Sequence, residues 1–440
     1  MVVSDIVTDN RKVTKGALFV AIKGNRVDGH DFISSAYESG AICVISEKNL
    51  ATNKAFIVVD DSLNAIKKIA AFYREQLDIK VVGITGSVGK TSTKEMIYSV
   101  LSEKYNVLKT EGNFNNELGL PLTVFRIREE HEIAVLEMGI SDFGEMTRLS
   151  EIAKPDVAVI TNIGLCHLEN LKSRDGILKA KTEMFNSLSE DGRIILNGDD
   201  DKLITVKEHN GIKPVFYHVR DMDKNNMGSE KKESQNIYAG HIVSDGIKGI
   251  SCALHYNDNC IDVKINIPGK HMVYNAMAAM CVGKVFGLSD DEIKRGIEKL
   301  RPVNGRNNII ERNNITIIDD CYNANPVSMK ASIDVLSFAD KRKVAILGDM
   351  FELGVNECRM HTEIGKYLAG SDIDVIVLCG KRMNHAYTYL LENSNNKELY
   401  YFDRIDDLLA ELERIVRQED TVLVKASHGM EFIKIIEKLK

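Results

Sequence analysis

The run Gly86-Ser87-Val88-Gly89-Lys90-Thr91-Ser92 sets two glycines, an ammonium and hydroxyls side by side. Val81 to Thr85 before it reads as a short buried strand. Thr91 to Leu101 after it reads as a helix, with Met96, Ile97, Val100 and Leu101 on one face. A strand passing through glycines into a helix N-terminus makes an anion site, because backbone N–H groups and the helix dipole both point at bound phosphates. Lys90 adds a point charge for the outer phosphates, and the Thr91 hydroxyl can hold Mg2+. ATP is therefore expected on Gly86, Ser87, Val88, Gly89, Lys90, Thr91 and Ser92. One spacing departs from the general phosphate loop: Ile84 stands six residues before the lysine, and the glycine sits one earlier, at Gly83.

Other residue types suit the chemistry of such a site. Glu137 ends a buried strand in IAVLEMG. A carboxylate at the C-terminal end of a parallel strand lies in the ligand crevice and suits a metal, although it could equally cap a helix. VITNIGLCHLEN puts Asn162 and His167 just past the next strand. An imidazole can join a carboxylate on Mg2+, but hard cations prefer oxygen and a lone histidine is commonly structural. In KAKTEMF, helical spacing puts Lys181 and Phe185 on one face, so Lys181 points inward unless it is a solvated helix lysine. His271 and Asn275 share a helical face, or mark a polar helix start. IDDCYNANPVSM places Asp319, Asp320, Asn323 and Asn325 on a loop after a strand, a ligand-facing position. Near the N-terminus, Asp9 and Arg11 and then Asp28 and His30 sit on loops, where ordinary turn chemistry also explains them.

These residues need three kinds of scaffold. Residues 1–78 read as a small α/β unit, with strands at Ala17–Ile22, Ala41–Ile45 and Phe56–Val59 and helices at Phe32–Ser39 and Leu63–Gln76. Residues 79–300 read as a mostly parallel sheet with right-handed crossovers. An antiparallel excursion runs from Ile237 to Ile267, and helices follow at Tyr274–Phe286 and Asp290–Leu300. Arg301 to Arg306 reads as a linker. Residues 301–440 read as a doubly wound, Rossmann-like sheet, its first strand at Ile315–Ile318, without the GxGxxG fingerprint. The fold class is thus α/β in three domains. The 440 residues allow roughly three domains. Hydrophobic residues at 44% suffice for real cores, and a net charge of −7 argues against nucleic acid as the main partner. Neither a signal peptide nor a membrane-spanning run is expected. Eight cysteines without zinc spacing read as reduced thiols of a cytosolic protein. A monomer is expected.

Taken together, these stretches resemble the Mur ligase family across all three domains. The offset Gly83 fits that family's GxTGxxGKT loop. EGNFNNELGLPLT (Glu111 to Thr123) and DDCYNANPVSM (Asp319 to Met329) are the more specific matches, beside LFVAIKGNRVDGHDF and LGDMFELG. Three positions depart from the family's usual DSR and KGSRGM: Asn10, and Ala426 and His428 in Lys425-Ala426-Ser427-His428-Gly429-Met430. The resemblance implies a cytoplasmic step of peptidoglycan precursor synthesis: ATP-dependent ligation of D-alanyl-D-alanine to UDP-N-acetylmuramoyl-tripeptide through an acyl phosphate. It implies two Mg2+ ions, on Thr91 and Glu137 and on His167, with Lys181 as a carbamate ligand. Catalytic roles fall to Lys90, Glu137, His167 and Lys181. Asn275, Arg306 and Asp320 would contact the nucleotide. Asn115 and Asn116 would face the muramoyl substrate, Asn323 and Asn325 would bind substrate from the third domain, and Asp9, Arg11, Asp28 and His30 would hold the UDP end. A folylpolyglutamate synthase-like amide ligase, or a nucleotide-dependent binding protein without ligation, would share the phosphate loop.

Overall fold

The computed structural model describes residues 2–24, 27–220, 236–394 and 396–440. Asn25 and Arg26 of the LFVAIKGNRVDGHDF stretch lie outside these residues. The chain forms two compact units. One comprises Met1–Thr85, Tyr105–Ala158 and Lys181–Arg193; the other comprises Gly86–Lys104, Val159–Ala180 and Ile194–Lys440.

In the first unit, β1 (Ile6–Val7), β2 (Leu18–Val20), β3 (Cys43–Ser46) and β4 (Phe56–Val58) pair in that order, all parallel. Phe19, Val44 and Ala36 lie in its core. Sequence reading misses β1, because two residues are too short to show a period. Asp61 caps the helix Ser62–Glu75, whose Ile66, Ala70 and Arg74 are buried at a spacing of four. The same unit holds β5 (Lys80–Thr85), β6 (Val107–Lys109) and β7 (Ile133–Glu137), with β7 parallel to both others. All five residues of β7 are buried, which is the mark of a strand covered on both faces. The strand β8 (Val157–Ile160) begins in this unit and ends in the other.

The second unit takes up directly after β5. Helix Lys90–Leu101 buries Met96, Ile97, Val100 and Leu101 as expected, packing on helices His271–Val285 and Asp290–Lys299. Strands β9 (Arg193–Asn197, all but its first residue), β10 (Val215–Val219) and β11 (Ile237–Ser244) are parallel neighbours. β12 (Ile250–Tyr256) and β13 (Asn259–Ile265) then run antiparallel, and burial alternates along β13, as the pattern predicts.

A second sheet has the order β14 (Asn308–Arg312), β15 (Ile315–Asp319), β19 (Thr421–Lys425), β16 (Lys343–Gly348), β17 (Val375–Cys379) and β18 (Glu398–Phe402). Apolar clusters line both of its faces. It is parallel and doubly wound except at its edge, where β14 pairs antiparallel with β15. Sequence reading takes β15 as the first strand and misses β14. The hairpin turns on Asn313 and Asn314, with φ of +51° and +58°, a two-residue turn that asparagine tolerates without glycine. Among the described residues, no helix is long and apolar enough to cross a membrane.

Candidate functional site

The phosphate loop follows β5. Gly89 has φ +82° and immediately precedes the first helical residue, Lys90. Gly86 has φ +150°, and a Cβ there would stand 1.9 Å from Thr161 Oγ1. Both positions thus require glycine, one for its dihedral and one for the close approach. The strand β8 stops at Ile160, because the next two residues turn to hold the loop. The Asn162 amide accepts from the Val88 N–H (3.0 Å) and donates to the Val88 carbonyl (2.8 Å). Thr161 Oγ1 donates to the same carbonyl (2.7 Å), and the Ser87 N–H donates to the Asn162 carbonyl (3.0 Å). The Val88 N–H is therefore spent on Asn162, while the first N–H groups of the following helix have no intrahelical acceptor and remain for anions. Lys90 Nζ lies back on its own loop, donating to the Gly86 carbonyl at 2.9 Å.

A cavity of about 280 Å³ opens beside the loop, within the second unit. Of the residues expected to bind ATP, Val88, Gly89, Ser92, Asn275, Arg306 and Asp320 line it. Tyr217, Ile267, Met272 and Val303 supply apolar wall, so a few polar groups converge on a mostly apolar pocket, the usual build of a small-molecule site. Thr93 Oγ1 donates to Asn275 Oδ1 (2.9 Å), tying the loop helix to His271–Val285. That second helix begins three residues before the expected Tyr274, so His271 is its first residue. The Arg306 guanidinium reaches Thr91 Oγ1 at 3.5 Å and covers the Tyr322 ring at 4.1 Å, and His428 meets the same ring at 5.5 Å.

Asp320 is buried and accepts from Lys425 Nζ, Ser332 Oγ (2.5 Å) and the Asn307 N–H (3.2 Å). Burial pulls the Lys425 ammonium below its ordinary range, against the attraction of Asp320. Burial likewise holds the His271 imidazole down. Sequence reading does not place Lys425, Ser332 or Asn307 in a site. Lys425 ends a strand on the ligand-facing edge, a usable signal; Ser332 and Asn307 carry none.

Other expected residues lie elsewhere. His167, with φ +49°, sets its Nδ1 at 3.2 Å from Glu352, whose carboxyl the histidine holds down. In the first unit, Glu137 is buried and accepts from Asn115 Nδ2 at 2.7 Å, while its N–H donates to Thr110 Oγ1. Lys181 is 1% exposed, inward as its spacing predicts. Glu183 accepts from the Gly144 N–H (3.1 Å) and Thr147 Oγ1 (3.0 Å), at the start of helix Glu145–Ala153.

The polar residues expected on substrate are engaged in local structure. Asn116 Oδ1 accepts the Gly119 N–H (2.8 Å). Asn325 caps helix Pro326–Ser337, and Asn323 Oδ1 accepts the Ala324 N–H. Asp9 caps a short turn and pairs with Arg11, which holds the Asp9 carboxyl down at about 2. Asp28 binds His30 and Lys48.

Among the described residues, no three His, Cys, Asp or Glu side chains form a metal cage. Mg2+ takes only one or two carboxylates and completes its octahedron with water and phosphate oxygens. The Thr91 hydroxyl and the Glu137 carboxylate have the hardness it needs, and His167 is the softer donor.

Family models match three consecutive stretches: the Mur ligase family catalytic domain over residues 2–80, the Mur ligase middle domain over 84–283 and the Mur ligase glutamate ligase domain over 305–428. The chain belongs to the Mur ligase family. A Mur ligase of Bacillus subtilis named UDP-N-acetylmuramoyl-tripeptide–D-alanyl-D-alanine ligase is 37% identical over 446 residues, covering 100% of this chain and 93% of its own length. An Escherichia coli relative of the same name is 33% identical, covering 99% and 93%. Among solved Mur ligases, MurF of Acinetobacter baumannii superposes with a TM-score of 0.89 at 32% identity, over 99% of this chain and 93% of that one. A MurF ligase of Thermotoga maritima solved in complex with ADP gives 0.84 at 30%, over 99% and 96%.

Proposed function

We propose that this Mur ligase joins D-alanyl-D-alanine to the C-terminal carboxylate of UDP-N-acetylmuramoyl-tripeptide, at the expense of ATP, in the cytoplasm. The full-length identity to curated ligases of that name carries the reading. The glycine loop and its cavity are the matching chemistry.

In this reading the γ-phosphoryl group passes from ATP to the tripeptide carboxylate, leaving ADP and an acyl phosphate. The dipeptide amine attacks the acyl carbon; a C–N bond forms, the C–O bond to phosphate breaks, and the amine proton goes to solvent. The residues hold two anions at reacting distance, which is positioning and electrostatics rather than nucleophilic catalysis. The loop N–H groups cradle the phosphates, and Lys90 leaves the Gly86 carbonyl to meet them. Arg306 and Asp320 close the nucleotide pocket, and Tyr322 keeps the guanidinium of Arg306 in place. Thr91, Glu137 and His167 would hold Mg2+, which neutralises the transferring phosphoryl charge. Lys181 is proposed to supply a further oxygen as a carbamate, its burial supporting a group kept from bulk water.

Residues 1–78 are proposed to bind the UDP end through Asp9, Arg11, Asp28 and His30. Residues 79–300 are proposed to hold ATP, with Asn115 and Asn116 facing the muramoyl group. Residues 301–440 are proposed to present the dipeptide near Asn323 and Asn325. A monomer suffices for all three.

Phosphate release should require ATP, tripeptide and dipeptide together, and running it with lysine- and diaminopimelate-containing tripeptides identifies the acceptor. ATP hydrolysis indifferent to both substrates would defeat the reading.

A further inference from the structure

Two glycines shape the phosphate loop, and glycine leaves a backbone free to settle in several conformations. The peptide between them, at Val88, is held from outside. Its carbonyl accepts from Thr161 Oγ1 and Asn162 Nδ2, and its N–H donates to Asn162 Oδ1. A carbonyl pinned by two donors does not swing toward bound phosphate, which it would repel.

Thr161 and Asn162 hold that peptide only as firmly as their own backbone is held. Asn197 Nδ2 donates to the Thr161 carbonyl (3.2 Å). On the other side of Asn162, Asp200 Oδ2 accepts the Ile163 N–H (2.8 Å) and Arg174 Nε donates to the Ile163 carbonyl (2.8 Å). Both polar groups of Ile163 are thus taken by charged side chains, which make the stronger kind of hydrogen bond. These side chains are fixed in turn. Asp200 Oδ1 accepts from the Lys202 and Leu203 N–H groups (2.9 and 3.0 Å). Both oxygens of Asp201 hold the Arg174 guanidinium (2.8 and 2.5 Å). Neither Asp200 nor Arg174 lines the cavity. What they fix is the residue after Asn162, so any effect on a ligand passes through the Asn162 side chain.

We propose that Asp200 and Arg174 are positioning residues for the phosphate loop: they set Asn162, and Asn162 sets the Val88 peptide. The assignment rests on the nucleotide reading above and goes beyond it by naming the side chains that give the loop its shape from behind.

The test is a double-mutant cycle on the intact protein: wild type, Arg174→Ala, Asp200→Ala, Asn162→Ala, and each of the first two variants combined with Asn162→Ala. Affinities for ADP with Mg2+ and for AMP are read by calorimetry, and folding by a thermal melt. ADP sets a second phosphate on the loop, and AMP lacks it. Arg174→Ala and Asp200→Ala should each weaken ADP by roughly ten-fold, the scale of one lost hydrogen bond to a charged group. AMP should weaken by clearly less. In the Asn162→Ala background the same changes should weaken ADP by less than about two-fold, because the residue they act through has gone. Losses that add in full in that background overturn the proposal. So do ADP and AMP weakened alike, since a general loosening of the fold acts on both. Wild-type ADP affinity in the folded Arg174→Ala protein removes this assignment alone. Should Asp200→Ala not hold its fold, Arg174→Ala decides the question, its side chain being 31% exposed against 8% for Asp200. A wild type that binds neither nucleotide removes the nucleotide reading as well.

Discussion

A single ammonium at the mouth of a phosphate loop acts on the transferring group and little else. Among the described residues, the Lys90 ammonium is tied to its own loop carbonyl, and the side chain supports no core. Lys90→Ala should therefore lower turnover on the order of a hundred-fold, as loss of a preorganised charge does, with the melting temperature nearly unchanged. Phosphate release beside a thermal melt checks both halves. Lys181 is the contrasting residue, buried rather than poised at a loop. Lys181→Ala should be nearly inactive, and acetate or formate should restore part of the activity if a carbamate oxygen is what is missing. No recovery with any small carboxylate, together with an unmodified mass, would reassign the residue to simple charge pairing.

Elements transmit these effects through a few bonds. The loop's shape depends on Asn162, which bridges both polar groups of Val88. Asn162→Ala leaves the Val88 N–H without its acceptor while Thr161 still holds the carbonyl, at about 1–3 kcal/mol for a buried group. The KM for ATP should rise by roughly ten-fold, while the glycine dihedrals remain permitted. Helix Glu357–Ala369 holds a second such contact. His361 is fully buried, its Nδ1 donating to the Glu357 carbonyl and its Nε2 accepting the Met350 N–H, which fixes the neutral tautomer.

Burial pulls that imidazole below its ordinary value of 6.5. As pH falls through about 6.5, the unfolded chain takes up a proton that the folded chain still refuses. Stability is thus full above that pH and declines below it. Melting temperatures between pH 7.5 and 5 should show the decline, and His361→Gln should flatten it. A slope identical in the variant would assign the effect elsewhere.

At the scale of the whole chain, burial divides the cysteines. All eight are free, and Cys260 and Cys358 are exposed. Desolvation pushes the Cys252, Cys281 and Cys379 thiols up to about 12, where no thiolate forms at neutral pH. A disulfide reagent at pH 8 should titrate the two exposed thiols quickly and all eight only after denaturation. Rapid reaction of six or more would contradict the cores described. Saturating ATP should also raise the melting temperature, since a ligand at a hundred times its Kd adds about 2.7 kcal/mol.

Local pattern alone was enough for much of this chain. Gly86, Gly89 and Lys90 declare a phosphate loop because the dihedrals and the helix start depend on neighbours in sequence. Glu137 declares its place because a strand's end is a local event. Lys181 facing inward follows from helical spacing. The edge strand β14 was not legible, because its hairpin turn uses asparagines where glycine is the usual signal. Nor was the end of β8, since Thr161 and Asn162 leave the strand to hold a loop more than seventy residues earlier in the sequence. Asn307 is the clearest case. Nothing in its neighbours marks it as buried beside a cavity, and its contacts with His271 and Asp320 are ones that only folding makes. Periodicity and turn chemistry are short-ranged, so the sequence alone determined the family, the α/β elements and the phosphate loop. Which polar atoms end up buried, and which lack a partner, depends on contacts between distant segments, and that only the tertiary structure decided.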